Sequence, residues 1–268
     1  VMEKLMETNF EAHPGYGVDE HCARARELVK NLCQAPDADV HFLVGGTQAN
    51  MTVIASILRP YQGVLCAESG HINVHESGAV EATGHKVLAV PSPDGKLTAA
   101  QIEEVVQAHL SEDGPEHMVQ PGMVYISFPT EVGTVYTLEE LESISAVCRK
   151  YALPLFVDGA RLGYGLCSPE SDITLPQLAT LADVFYIGGT KIGALFGEAV
   201  VITNPELLKH PVPLIKQHGA LMAKGRILGL QFDTLFTDDL YLRLGAAAVN
   251  FADRIRAKLQ EKGFVLCY

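Results

Sequence analysis

The amino-acid sequence predicts an α/β protein, a largely parallel sheet covered by helices, and three observations predict it. Short apolar runs rich in β-branched residues recur at 40–44, 63–67, 86–90, 123–128, 155–157 and 184–187. Between them lie stretches with apolar residues at helical spacing, such as Ile102, Val105, Val106 and Leu110 against Gln101, Glu103 and Glu104. The turns that follow the strands carry glycine with polar or charged residues, the usual place for ligand contacts at the carboxyl edge of such a sheet.

The first helix is expected over 1–9, with Val1, Met2 and Leu5 on one face, and the second over 19–33, with Cys22, Ala25, Leu28, Val29 and Leu32 inward. The loop between them, His13-Pro14-Gly15-Tyr16-Gly17-Val18, presents Tyr16 either to a pocket or to the surface. The strand at 40–44 runs into Gly45-Gly46-Thr47-Gln48 and a helix carrying Met51, Ile54, Ile57 and Leu58. Free backbone N–H groups at such a helix start form an anion site; the alternative is a plain turn with Thr47 as N-cap. After 63–67, a helix is expected from about Gly70 to Gly84. It places His71 and His75 on one face, as a metal pair, as capping residues or as rings against a cofactor. Helices follow at 98–110 and 138–151, the latter opened by Thr137 and Glu140 in a capping-box pattern.

Asp158 ends the strand 155–157 and either caps the next helix or faces a ligand. A helix with Leu175, Leu178 and Leu181 then leads to 184–187 and to Gly188-Gly189-Thr190-Lys191. A lysine between an apolar strand and further apolar residues is either a solvated side chain or an amine made nucleophilic by desolvation. A helix is expected over 219–232, with Lys224 and Arg226 on a solvated face or serving a phosphate. A long helix at 241–262 is followed by a strand at 264–268.

Composition narrows the function. With 48% hydrophobic and 19% charged residues, 268 residues suffice for a large buried core. A formal net charge of −12 without a basic stripe argues against nucleic acid as a partner. No apolar run reaches the roughly 20 residues of a membrane span, and there is no leader pattern, so a cytoplasmic protein is expected. The six scattered cysteines lack metal or disulfide spacing and are expected to be reduced. No metal site is expected.

Taken in order, Gly45-Gly46-Thr47-Gln48-Ala49-Asn50, Gly70-His71, Val157-Asp158-Gly159-Ala160-Arg161-Leu162 and Gly188-Gly189-Thr190-Lys191 resemble the threonine aldolase and β-eliminating lyase family of aminotransferase-like, fold-type I pyridoxal-phosphate enzymes. The resemblance covers nearly the whole chain. It implies a three-layer α/β/α fold with a mainly parallel seven-stranded sheet, and a homodimer or homotetramer. It implies an N-terminal helical segment at 1–38, a pyridoxal-phosphate-binding large domain at 39–236, and at 237–268 the start of a C-terminal small domain that the sequence is expected to lack in large part, as it is expected to lack some of its N terminus.

By resemblance, Lys191 is the Schiff-base lysine and Asp158 pairs with the pyridine nitrogen of pyridoxal 5'-phosphate. His71 stacks on its ring, Arg161 bonds its phenolate oxygen or the substrate, and Gly46, Thr47 and Gln48 hold its phosphate. His71 or the Lys191 amine would act as base. Tyr16, His75, Glu76 and Glu131 are assigned to an amino-acid substrate. The implied activity is a lyase of the low-specificity L-threonine aldolase type, cleaving β-hydroxy amino acids to glycine and an aldehyde. Alternatives are β-elimination or transamination on the same scaffold and, more remotely, a metal-dependent hydrolase or a non-catalytic binding module. The chain departs from the family pattern at Pro129-Thr130-Glu131-Val132-Gly133 and at His75, where an aromatic is common. Both departures bear on the substrate more than on the cofactor.

Overall fold

The computed structural model describes residues 1–266. Seven strands form one sheet: β1 (Asp39–Leu43), β2 (Gln62–Ala67), β3 (Lys86–Val90), β4 (Gln120–Ser127), β5 (Leu155–Asp158), β6 (Val184–Gly188) and β7 (Glu198–Ile202). Their spatial order is β1-β7-β6-β5-β4-β2-β3. β7 is antiparallel to both neighbours, β1 and β6, and the other pairings are parallel. The antiparallel strand carries no turn chemistry of its own, so it is the strand that the sequence pattern passes over.

Alternate residues of the central strands enter two cores. Met123, Tyr125, Phe156, Val184 and Tyr186 pack with Ala49, Val53 and Ile54 of the helix Gly46–Ile57 and with Ile72 and Ile215. Val124, Ile126, Leu155, Val157, Phe185 and Ile187 pack beneath the helices Glu20–Cys33, Ala99–Leu110, Leu138–Lys150, Leu175–Leu181 and Arg226–Phe236. Helices therefore cover both faces, which is why these strands read as continuous apolar runs. The chain has a three-layer α/β/α architecture.

The caps read from sequence form. Thr137 accepts from the Glu140 backbone N–H while the Glu140 carboxylate accepts from that of Thr137, and Thr98 with Gln101 builds the same box. Asp19 caps the helix Glu20–Cys33. Other boundaries differ. The helix expected to Gly84 covers only His71–Val74, because Ser77 and Gly78 take left-handed backbone (φ 52° and 73°) and a short 3-10 turn, Glu81–Thr83, follows. The helix expected from Gly219 begins at Arg226. Gly219 (φ 72°) ends the helix Pro211–Gln217, and Gly225 lies against Gly17, where a Cβ would stand 2.5 Å from the backbone nitrogen. Arg226 donates to Thr8 Oγ1 at 3.0 Å, so it ties down the N-terminal segment rather than facing solvent alone. Phe264 starts no strand within the described residues; Cys267 and Tyr268 lie outside them.

The long helix Leu240–Glu261 anchors through Tyr241 and Gly245, while Phe251 and Ile255 on it are exposed. Cys22, Cys33, Cys66, Cys148 and Cys167 are free thiols. Burial pushes the first four up to about 12, so they are inert at neutral pH. No helix among the described residues is long and apolar enough to cross a membrane.

β5 and β6 approach closely only because Gly159 has no side chain, since a Cβ there would lie 1.8 Å from the Tyr186 carbonyl oxygen. Gly159→Ala is therefore expected to destabilise the protein by about 3 kcal/mol or more, read as a shift of the denaturant midpoint. An unchanged midpoint would contradict this packing.

Candidate active site

Six strands end on one edge of the sheet, and the turns after five of them converge on one pocket. β7 is antiparallel to both β1 and β6, so β1 points the same way as β6 and its carboxyl end joins those of β2, β4, β5 and β6. β7, running backwards, starts at that edge. A cavity of about 200 Å³ opens there, lined by Gly46, Thr47, His71, Glu131, Asp158, Arg161, Tyr186, Lys191 and Glu198 among others. Seven of the residues singled out from sequence thus share one pocket.

Asp158 is 4% exposed at the pocket floor. Its Oδ2 accepts from Tyr125 Oη at 2.5 Å and Asn50 Nδ2 at 3.0 Å; its Oδ1 accepts from Tyr186 Oη and from the Ala160 backbone N–H at 2.9 Å. Asp158 shares its face of β5 with Phe156, and the two tyrosines come from the neighbouring strands on that same face. Burial and the adjacent Asp158 charge hold both tyrosine hydroxyls far above the usual phenol range, so they act as donors. The bond from Ala160 N–H leaves Asp158 doing the job of a turn former as well.

Asn50, fully buried in the helix Gly46–Ile57, also donates to Glu76 Oε1 at 2.7 Å, and that oxygen lies 2.8 Å from His71 Nδ1. The hydrogen bond to Glu76 raises His71 above the usual imidazole range, against the opposing effect of its partial burial. Glu131 accepts from the His71 backbone N–H at 2.8 Å and from Ser127 Oγ at 2.6 Å. Glu76 therefore stands behind His71 rather than in the pocket.

Lys191 follows β6 on the turn Gly188-Gly189-Thr190, at the open side of the pocket. Desolvation first, and the Arg161 charge second, hold its amine below the usual lysine range. The turn is pinned from beneath: Gly189 N–H donates to the Gly197 carbonyl at 3.0 Å and to Glu198 Oε2 at 2.9 Å, and Gly197 N–H donates to Thr190 Oγ1 at 3.0 Å. A Cβ on Gly188 would lie 2.5 Å from the Ala160 carbonyl oxygen, so this close pass of two loops requires glycine. Burial raises Glu198 to about 7.

At the phosphate-type turn, the helix begins at Gly46 with Gly45, not Thr47, as N-cap, and no side chain caps it. Its first amides are left for a ligand. Gln48 turns its side chain away: Oε1 accepts from Val44 N–H at 3.2 Å and Nε2 donates to the His218 carbonyl at 3.3 Å. Two other residues lie apart from the cavity. His75 is exposed, its ring 5.5 Å from that of His71. Tyr16 is 50% exposed in a separate crevice, with Lys216 Nζ 4.7 Å from its ring. Arg161 and Glu131 also line a second cavity of about 360 Å³, walled by Val249, Ala252 and Arg256 of the long helix.

The residues missed from sequence are Asn50, Tyr125, Tyr186 and Glu198. Asn50 lies one turn into the helix, on its inward face, and the alternation of β4 and β6 could have marked both tyrosines. Glu198 carried no signal without knowledge of the antiparallel strand. A pocket offering free helix amides, a buried carboxylate and a desolvated amine fits pyridoxal phosphate, whose phosphate, ring nitrogen and aldehyde need those three groups.

Glu76→Gln is expected to lower the His71 pKa, seen by NMR titration of the imidazole. His71 is raised in the fold, so the stability it contributes is full below its unfolded value of about 6.5 and is lost as pH rises through the folded value. The variant should lack that pH-dependent loss; an unshifted His71 titration would contradict the pairing.

Residues 1–262 match the model of the beta-eliminating lyase family. The chain is 34% identical over 263 residues to the low specificity L-threonine aldolase of Pseudomonas aeruginosa, covering 95% of this chain and 72% of that protein. A solved structure of Leishmania major threonine aldolase superposes with a TM-score of 0.96 at 49% identity, over all of this chain and 77% of that one. A histidinol-phosphate aminotransferase from Clostridium acetobutylicum, 12% identical, superposes with a TM-score of 0.72 over 99% of this chain and 75% of that one, a likeness of fold alone.

Proposed function

The chain belongs to the beta-eliminating lyase family, and from that premise we propose that it is a pyridoxal-phosphate-dependent lyase that cleaves L-threonine and related β-hydroxy amino acids to glycine and an aldehyde. The observation that carries this reading is the placement of the partly desolvated Lys191 amine in one pocket with the buried Asp158 carboxylate and its ring of donors. Gly46 and Thr47 would hold the cofactor phosphate through backbone amides, Asp158 would keep the ring nitrogen protonated, and Lys191 would hold the aldehyde carbon covalently. Arg161 would take the phenolate oxygen or the substrate carboxylate. When bound, the cofactor supplies an electron sink for the pair released as Cα–Cβ breaks.

The protein's own groups do the rest. Glu76 engages His71 Nδ1, which leaves Nε2 as the atom to receive the β-hydroxyl proton when the ring is neutral. The requirement for a neutral ring, set against the raised His71 pKa, makes activity rise with pH through that value. Depression of the Lys191 pKa increases the fraction of free, nucleophilic amine that would take the cofactor aldehyde. Arg161 and Glu131, common to both cavities, place the substrate between the pocket floor and the long helix. Tyr16 and His75 belong to the substrate side of this proposal less directly, since neither lines the cavity. Work as a homodimer or homotetramer in the cytoplasm completes the proposal, supported by the family resemblance.

The test is cleavage of L-threonine by the cofactor-loaded protein, followed as glycine and acetaldehyde, against pyruvate and ammonia from L-serine. Glycine and acetaldehyde are expected, and borohydride is expected to fix a cofactor-sized mass to Lys191. Lys191→Ala should lose activity by at least about 10³-fold. Pyruvate as the dominant product, or the mass on another lysine, would contradict the reading.

A further inference from the structure

The loop between the helices Met2–Glu7 and Glu20–Cys33 folds His13 back against the first turn of the second helix, where Glu20 and His21 stand. The His13 side chain is only 3% exposed. Its Nε2 lies 3.2 Å from Glu11 Oε2 and its Nδ1 3.1 Å from Glu20 Oε1, yet neither nitrogen makes a hydrogen bond of acceptable direction. His21 repeats the pattern: its Nε2 is buried without a partner, and Asp233 Oδ2 is 4.0 Å from its Nδ1 on the other side of the ring. The two rings stand 5.1 Å apart, centroid to centroid. One oxygen or nitrogen from each of Glu11, His13, Glu20 and His21 lies within 4.8 Å of every other. Buried ring nitrogens without hydrogen bonds, beside two carboxylates, call for a partner that the protein itself does not supply.

We infer that Glu11, His13, Glu20 and His21 form a binding site for a divalent cation of the zinc class, separate from the Asp158 pocket. Two imidazoles and two carboxylates are a four-donor set suited to tetrahedral zinc, whereas calcium and magnesium prefer oxygen donors alone. Ligand bonds to zinc are about 2.0–2.2 Å, so the donors must draw together, and the two glutamates are exposed at 54% and 67% and free to swing inward. Their two negative charges offset the dication. Asp233 Oδ2, 4.0 Å from His21 Nδ1, is near enough to turn toward a metal-bound imidazole, and Asp233 is itself ion-paired with Arg24, Nε 2.9 Å from its Oδ1. The cation ties the loop to the helix Glu20–Cys33 and, through Asp233, to the helix Arg226–Phe236 on which that helix packs. No metal spacing in the sequence marks this pair, because seven residues, the last of them already in the helix, separate the two histidines.

The test is calorimetric titration of the chelator-stripped, cofactor-loaded protein with zinc chloride, together with hydrogen exchange of the loop amides. One zinc per chain at micromolar dissociation constant or tighter is expected, with slowed exchange at 9–18. His13→Ala should weaken binding by at least about tenfold. The double variant Glu11→Gln, Glu20→Gln should do the same, and its surface positions keep the test intact if His13→Ala fails to fold. Activity toward the amino-acid substrate should be unchanged in the double variant. Only millimolar binding, or a stoichiometric zinc that survives the double substitution, would overturn the inference.

Discussion

The buried carboxylate of Asp158 is the constraint on which the rest of the site depends. A carboxylate this far from water is tolerable only when donors solvate its charge, and here four surround it: two tyrosine hydroxyls, one asparagine amide and one backbone N–H. Each donor comes from a different element, so strand order, strand register and the seating of the helix Gly46–Ile57 must all be right for Asp158 to be satisfied. Asn50 carries the constraint outward, because its amide also serves Glu76, and Glu76 orients His71. Charge at the pocket floor and ring orientation at the pocket wall are thereby one network.

The lysine side of the pocket is built differently. Lys191 makes no such network; its position follows from a turn that must be glycine at Gly188 and Gly189 and that is pinned by β7. Reversal of β7 brings the beginning of a strand to an edge otherwise made of strand ends, and delivers Glu198 under the turn. With burial raising Glu198 to about 7, this carboxyl is poised to be neutral over part of the neutral range, which spares the pocket a second full negative charge beside Asp158. Desolvation and the nearby Arg161 then favour the free amine of Lys191.

Much of this was legible because chemistry-bearing residues sit in turns whose backbone signals are local. Gly46, His71, Asp158 and Lys191 follow apolar runs directly, and an α/β alternation places such turns on one edge whatever the details of packing. What was not legible depends on which face of an element turns inward. Tyr125 and Tyr186 look like ordinary apolar strand residues, and only the register that sets them beside Asp158 makes them donors. The resemblance points Glu76 at the substrate, but a left-handed Ser77-Gly78 pair follows the shortened helix and the carboxylate lies behind His71. The resemblance points Tyr16 at the substrate and Gln48 at the phosphate, yet one stacks under Lys216 in another crevice and the other braces its own turn.

Asp158, held by its four donors, would set the protonation of the cofactor ring. The most direct measurement is the ¹⁵N NMR resonance of the pyridine nitrogen in pyridoxal phosphate labelled there and bound to the protein. A protonated nitrogen is expected across the neutral range in the unaltered protein, with loss of that proton in Asp158→Ala. An unprotonated nitrogen in the unaltered protein, or one that stays protonated without Asp158, would contradict it.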